Sequence, residues 1–206
     1  MTDIAVQNGA NGTVSAAAIL PRLDRRSIVL IGMMGVGKSS IGRRLGARLG
    51  VPFVDADTEI EKAAGMSIAD IFARHGEADF RSGEARVIAR LLEGGPQVLA
   101  TGGGAVMNAD TRAAIKAKGV SIWLAAEFDV LMRRIAKRKN DRPMLQTADP
   151  AATLRQLLAE REPVYAQADI TVRSREVPHD AIVTEIMREL VAFLDAHAAP
   201  PGKDGA

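Results

Sequence analysis

The stretch Ser27-Ile28-Val29-Leu30-Ile31-Gly32-Met33-Met34-Gly35-Val36-Gly37-Lys38-Ser39 limits the possible folds more than any other part of this chain. A β-branched run ends in a glycine-rich turn, and helical periodicity follows at once over Ser39 to Leu49, with Gly50 as its stop. The turn fits G-x-x-x-x-G-K-[ST], a loop whose backbone N–H groups converge on phosphate oxygens at a helix N-terminus. On that reading Gly35, Val36, Gly37, Lys38, Ser39 and Ser40 bind a nucleotide. Lys38 reaches the β- and γ-phosphates, and the Ser39 hydroxyl takes Mg²⁺. A chance lysine in a glycine-rich turn would lack the flanking strand and helix.

Further strands are expected at Val51–Asp55, Gln97–Ala100, Val120–Leu124 and Ala168–Val172. Between them lie helical patterns over Gly83–Leu92, Ala109–Ala117, Phe128–Lys137, Ala152–Ala166 and Asp180–His197. Such alternation predicts an α/β domain with a parallel sheet covered on both faces, and ligands at the carboxyl ends of its strands. The rule brings Gly32–Lys38, Asp55–Asp57 and Gly102–Gly104 together. We read residues 1–24 as a disordered tail, 25–198 as a single domain and 199–206 as a second tail. Cysteine is absent, which excludes disulfides and thiolate metal sites and suits a cytoplasmic protein. A net charge of +2 is too small to argue for nucleic acid, and no apolar run is long enough to span a bilayer.

The loop alone does not say which chemistry follows. No guanine-reading Asn-Lys-x-Asp occurs, and the third strand runs into Thr101-Gly102-Gly103-Gly104, without the carboxylate of a motor-type ATPase. Three glycines either let backbone N–H groups approach a ligand or form a plain turn. Asp55 and Asp57 are placed to support Mg²⁺ and to accept a proton from an attacking hydroxyl; equally, they suit the acidic start of a helix. Arg81 and Arg161 offer planar forks for a carboxylate or phosphate, or lie on solvated helix faces. The basic run 133–142 lacks the interleaved aromatics of an RNA-binding surface and reads better as a lid over triphosphate. His75, His179 and His197 show no ligand spacing and read as surface or packing residues.

Taken in order, GMMGVGKSSIGRRLGARLG, FVDADTEIE, IFARHGEADFRSGEARV, ATGGGAV, DRPML and REPVYAQAD resemble the shikimate kinases from about Ile28 to Asp169. The resemblance implies the nucleoside-monophosphate-kinase fold, a three-layer arrangement with a five-stranded parallel sheet in order 2-3-1-4-5. It implies transfer of the γ-phosphoryl of MgATP to the 3-hydroxyl of shikimate, in aromatic amino-acid biosynthesis; a monomer is expected, although the sequence does not give the oligomeric state. Asp57 then matches the residue that contacts the substrate hydroxyls, and Asp55 the one that supports Mg²⁺. Arg81 and Arg161 match the arginines that hold the substrate carboxylate, with Gly102, Gly103 and Gly104 lining it. Arg142 matches the lid arginine that swings onto the phosphates, and Arg175 lies near Pro178, where the family contacts the base. Residues of about 56–83 would form the acceptor-binding part and about 136–150 the lid. Either Arg134 or Arg138 would lie near the adenine. Other readings to weigh are a kinase for gluconate or a nucleoside monophosphate, a nucleic-acid-stimulated ATPase, and a binding protein that has lost catalysis.

Overall fold

The computed structural model describes residues 14–137 and 149–198. β1 (Ser27–Ile31) sits at the centre of an all-parallel sheet whose other strands are β2 (Phe53–Asp55), β3 (Val98–Ala100), β4 (Gly119–Ala125) and β5 (Ile170–Arg173). The order is β2-β3-β1-β4-β5, as the resemblance implied. All five residues of β1 are buried, whereas edge strand β5 alternates buried and exposed. A central parallel strand is covered on both faces and has no polar side to offer.

The helices are α1 (Leu20–Leu23), α2 (Lys38–Leu49), α3 (Ala56–Ala64), α4 (Ile68–Leu91), α5 (Ala109–Lys118), α6 (Phe128–Lys137), α7 (Pro150–Tyr165) and α8 (His179–Ala196). From β1 the chain moves outward to β2 through α2; all later crossovers run the opposite way. Right-handed crossovers therefore put α2 on one face and α4, α5 and α7 on the other. The packing agrees, since α2 meets α8 while α4 meets α5 and α6 meets α7. The strands' carboxyl ends consequently gather the loop before α2, the start of α3 and the turn after β3 along one edge.

Two expectations need correction. The helix expected over Gly83–Leu92 is the second part of α4, which begins at Ile68. Gly76, at φ 79 and ψ 174, interrupts helical geometry there, and the resulting bend breaks the periodicity that a sequence reading follows. The tail expected over 1–24 is ordered from residue 14. A 3₁₀ turn (Ala16–Ala18) leads into α1, which Pro21 opens in its first turn. Ile19 and Leu23 are buried in the main core at 0% and 1% exposure, and Arg22 pairs with Asp195 of α8. Residues 1–13, 199–206 and the 138–148 part of the expected lid lie outside the described residues. Among the described residues, no helix is long and apolar enough to cross a membrane.

Ile19→Ala removes a core side chain and should destabilise the fold by about 2–4 kcal/mol in denaturant unfolding. A loss no larger than that of a surface substitution would mean that this segment does not dock.

Candidate active site

The loop between β1 and α2 is folded back on itself by Lys38, whose Nζ donates to Gly32 O at 2.7 Å and Met33 O at 3.1 Å. Those carbonyls hold the ammonium over the mouth of the loop. Two strands away, across β3, β2 ends at Asp55, which caps α3: its Oδ1 accepts the Asp57 N–H at 3.2 Å. Its Oδ2 accepts from Ser39 Oγ at 2.7 Å. The helix-start reading of Asp55 holds, since one oxygen caps α3, while the other faces the phosphate loop. The Ser39–Asp55 pair offers hard oxygen donors at the phosphate end of the cleft. That suits Mg²⁺, which commonly takes one or two protein oxygens and completes its shell with phosphate and water. Among the described residues no cluster of three or more His, Cys, Asp or Glu forms an all-protein cage.

Beyond β3, the turn Gly102-Gly103-Gly104 is the wall on which the remaining groups converge. A Cβ on Gly104 would fall 2.7–2.8 Å from three guanidinium atoms of Arg81, on α4. One on Gly103 would lie 3.4 Å from Arg161 Nη1, on α7. A Cβ on Gly102 would meet Glu84 Oε1 at 2.7 Å and Asp57 Oδ1 at 3.0 Å. A side chain at Gly102 or Gly104 would displace the Glu84, Asp57 or Arg81 groups that face the turn. Two arginines from different helices thus flank neighbouring residues of one turn, and Asp57 stands one residue away. Arg161 is only 6% exposed, so its solvated-face reading fails too. Tyr165 OH, one turn further along α7, donates to Gly103 O and pins the turn from behind.

Glu84 received no role from the sequence. It is 1% exposed, and its Oε2 accepts from Arg81 Nη1 at 2.7 Å. The other oxygen, Oε1, has no hydrogen-bond partner and faces Gly102. Glu77 adds a weaker contact to Arg81 at 3.2 Å, and the guanidinium lies over the Phe80 ring, 5.0 Å from its centroid. The available signal was the i, i+3 spacing of Arg81 and Glu84 in one helix.

Burial pushes the Glu84 carboxyl up from its ordinary value, and Arg81 opposes it. Asp57 is pushed the same way. Its side chain is reached by solvent, yet the surrounding protein desolvates it enough to raise its pKa; Asp55 and Glu61 add to that, while Lys38 and Arg81 oppose it.

On the far side of the loop, Arg134 donates to Val36 O, Ser174 Oγ and Arg175 O. Arg175 is therefore near the loop through its backbone, while its guanidinium turns to Glu185 at 2.8 Å. His179 packs against the loop, with Nε2 3.9 Å from where a Gly37 Cβ would be; burial, Arg44 and Arg134 push its pKa down. Arg138 and Arg142 lie outside the described residues.

A family model described as shikimate kinase matches residues 34–191. The shikimate kinase of Bradyrhizobium diazoefficiens is 65% identical over 191 residues, 92% of each chain. That of Nitrobacter winogradskyi is 60% identical over 185 residues, 90% of this chain and 86% of its own. Among solved structures, a shikimate kinase from Acinetobacter baumannii in complex with shikimate superposes with a TM-score of 0.78 at 34% identity, covering 85% of this chain and 96% of that one.

Because the Asp57 pKa is raised above 3.8, the folded protein holds this proton more tightly than the unfolded chain. Its contribution to stability is present below about pH 4 and is lost as pH rises through the folded value. Asp57→Asn should therefore melt at a higher temperature than the parent at pH 8, with the gap closing towards pH 4. Equal melting temperatures at pH 8 would contradict the stated electrostatics.

Proposed function

The chain belongs to the shikimate kinase family, and from that premise we propose how its own residues carry out the reaction. The reaction moves the γ-phosphoryl of ATP to the 3-hydroxyl of shikimate, giving shikimate 3-phosphate and ADP, a step of aromatic amino-acid biosynthesis. One observation carries the site assignment. Arg81 and Arg161 flank Gly104 and Gly103, with Asp57 beside Gly102 and Lys38 close enough to act on the Asp57 charge. A carboxylate bound between the two guanidinium groups leaves the hydroxyls of the same small ring directed at Asp57.

Arg81 arrives already oriented, because Glu84 holds Nη1 and the Phe80 ring supports its plane. The backbone of Gly102, Gly103 and Gly104 lines the ring closely, as no side chain intervenes. Asp57 accepts the proton of the attacking hydroxyl; its raised pKa brings it nearer neutrality and makes it a better base than an ordinary aspartate. Lys38 moves from the Gly32 and Met33 carbonyls onto the phosphates and neutralises charge on the equatorial oxygens. Gly35, Val36, Gly37, Ser39 and Ser40 complete the cradle at the N-terminus of α2; the resemblance implies a further cation from Arg142, which lies outside the described residues. Arg175 borders the base side through its backbone. Ser39 and Asp55 would hold Mg²⁺, which when bound would supply Lewis-acid neutralisation of the phosphates. Every group named comes from one chain, so a monomer suffices, and cytoplasmic residence fits a cysteine-free enzyme.

Arg81→Ala should raise the KM for shikimate by about 10- to 100-fold, the worth of a charged hydrogen-bond pair, while KM for ATP stays near its parent value. Unchanged shikimate kinetics would remove Arg81 from the carboxylate site. Asp57→Asn should lower kcat by a factor on the order of 10² or more; a near-parental kcat would take the base role from it. A coupled ADP-release assay with gluconate and nucleoside monophosphates in place of shikimate should show no turnover above background.

A further inference from the structure

The peptide that joins Val36 to Gly37 is gripped from outside the phosphate loop. Val36 O accepts from Ser174 Oγ at 2.8 Å and from Arg134 Nη1 at 3.0 Å. The two donors are themselves joined, since Arg134 Nη1 also donates to Ser174 Oγ at 2.9 Å. Arg134 Nη2 reaches Arg175 O at 2.9 Å. Ser174 is 3% exposed and Val36 is fully buried, so the grip is shielded from water. The partners are distant in sequence: Ser174 directly follows β5, and Arg134 lies in the last turn of α6. Three elements therefore meet on one carbonyl.

A planar trans peptide points its C=O and N–H in opposite directions, and no cis peptide occurs among the described residues. Anchoring Val36 O outward aims the Gly37 N–H inward, onto the phosphate side of the loop. The need for an anchor is plain at this position. Gly37 has φ +107 and no side chain to restrict the peptide plane before it. The guanidinium also makes a charge-assisted bond to the carbonyl, which polarises the amide and strengthens its N–H as a donor.

We propose that Ser174 is a positioning residue for the nucleotide: with Arg134 it presets the Gly37 amide towards the β-phosphate before ATP arrives. The inference rests on reading the loop as the ATP site. A serine that only satisfied a buried polar gap would affect stability without distinguishing ATP from shikimate.

The test compares Ser174→Ala, Ser174→Thr and Ser174→Val with the parent enzyme, using MgADP titration and steady-state kinetics. Ser174→Ala should weaken MgADP binding and raise KM for ATP by about threefold to tenfold, the effect of one neutral hydrogen bond, with KM for shikimate unchanged. Ser174→Thr, which keeps the hydroxyl, should bind MgADP within twofold of the parent. Ser174→Val, of the same shape without the hydroxyl, should lose affinity as the alanine variant does, and it serves if the alanine variant does not fold. Parental MgADP affinity in the alanine and valine variants overturns the inference alone, and so does an equal rise in both KM values. Failure of the parent itself to bind MgADP overturns the ATP reading of the loop as well.

Discussion

The buried contact between Glu84 and Arg81 is the interaction on which the acceptor site depends. A carboxylate at 1% exposure is costly to desolvate, and the 2.7 Å bond from Arg81 offsets that cost only while the guanidinium stays in place. The constraint works both ways. Glu84 cannot remain charged in that position without Arg81, and Arg81 cannot turn to solvent without stranding Glu84. The pair thereby converts a long, entropically expensive side chain into a rigid wall beside Gly104.

That wall permits chemistry because the chain opposite it has no side chains. Gly102, Gly103 and Gly104 meet Glu84 and Asp57, Arg161, and Arg81 respectively at distances that exclude a Cβ or leave it tight. The turn therefore acts as a template that sets the spacing of two cations and two anions. The charges are arranged in opposition. Nearby cations favour the ionised acids, while burial first and neighbouring carboxylates second favour protonation, and the net result for both Asp57 and Glu84 is upward. A base held in that balance is sensitive to what binds beside it, which ties proton transfer to the presence of substrate.

The phosphate side follows a different design. It uses backbone rather than side-chain charge, so its precision depends on what holds the backbone. Lys38 folds over the loop from within, Asp55 reaches Ser39 from β2, and Ser174 with Arg134 grips Val36 from outside. The loop thus borrows rigidity from the ends of β2 and β5 and from α6. Much of this was legible beforehand. The strand–loop–helix unit, the D-x-D pair and the arginines each stood in a local pattern. The docking of residues 14–24 was not, because Ile19, Leu20 and Leu23 are only three large apolar residues around a proline, too few to show a period. The first half of α4 was obscured by Gly76, whose conformation bends the helix.

Sequence by itself determined the short-range features: a phosphate loop between strand and helix, carboxylates at a strand end, and glycines where backbone must come close. These are set by contacts within a few residues, and composition and spacing express them directly. Tertiary structure alone decided which charges share a site. Arg81 and Arg161 are 80 positions apart and meet only because α4 and α7 cover the same turn. Ser174 reaches Val36 only because β5 ends beside the phosphate loop. A serine after an edge strand has no local signature, and its meaning comes wholly from the carbonyl that the fold delivers to it.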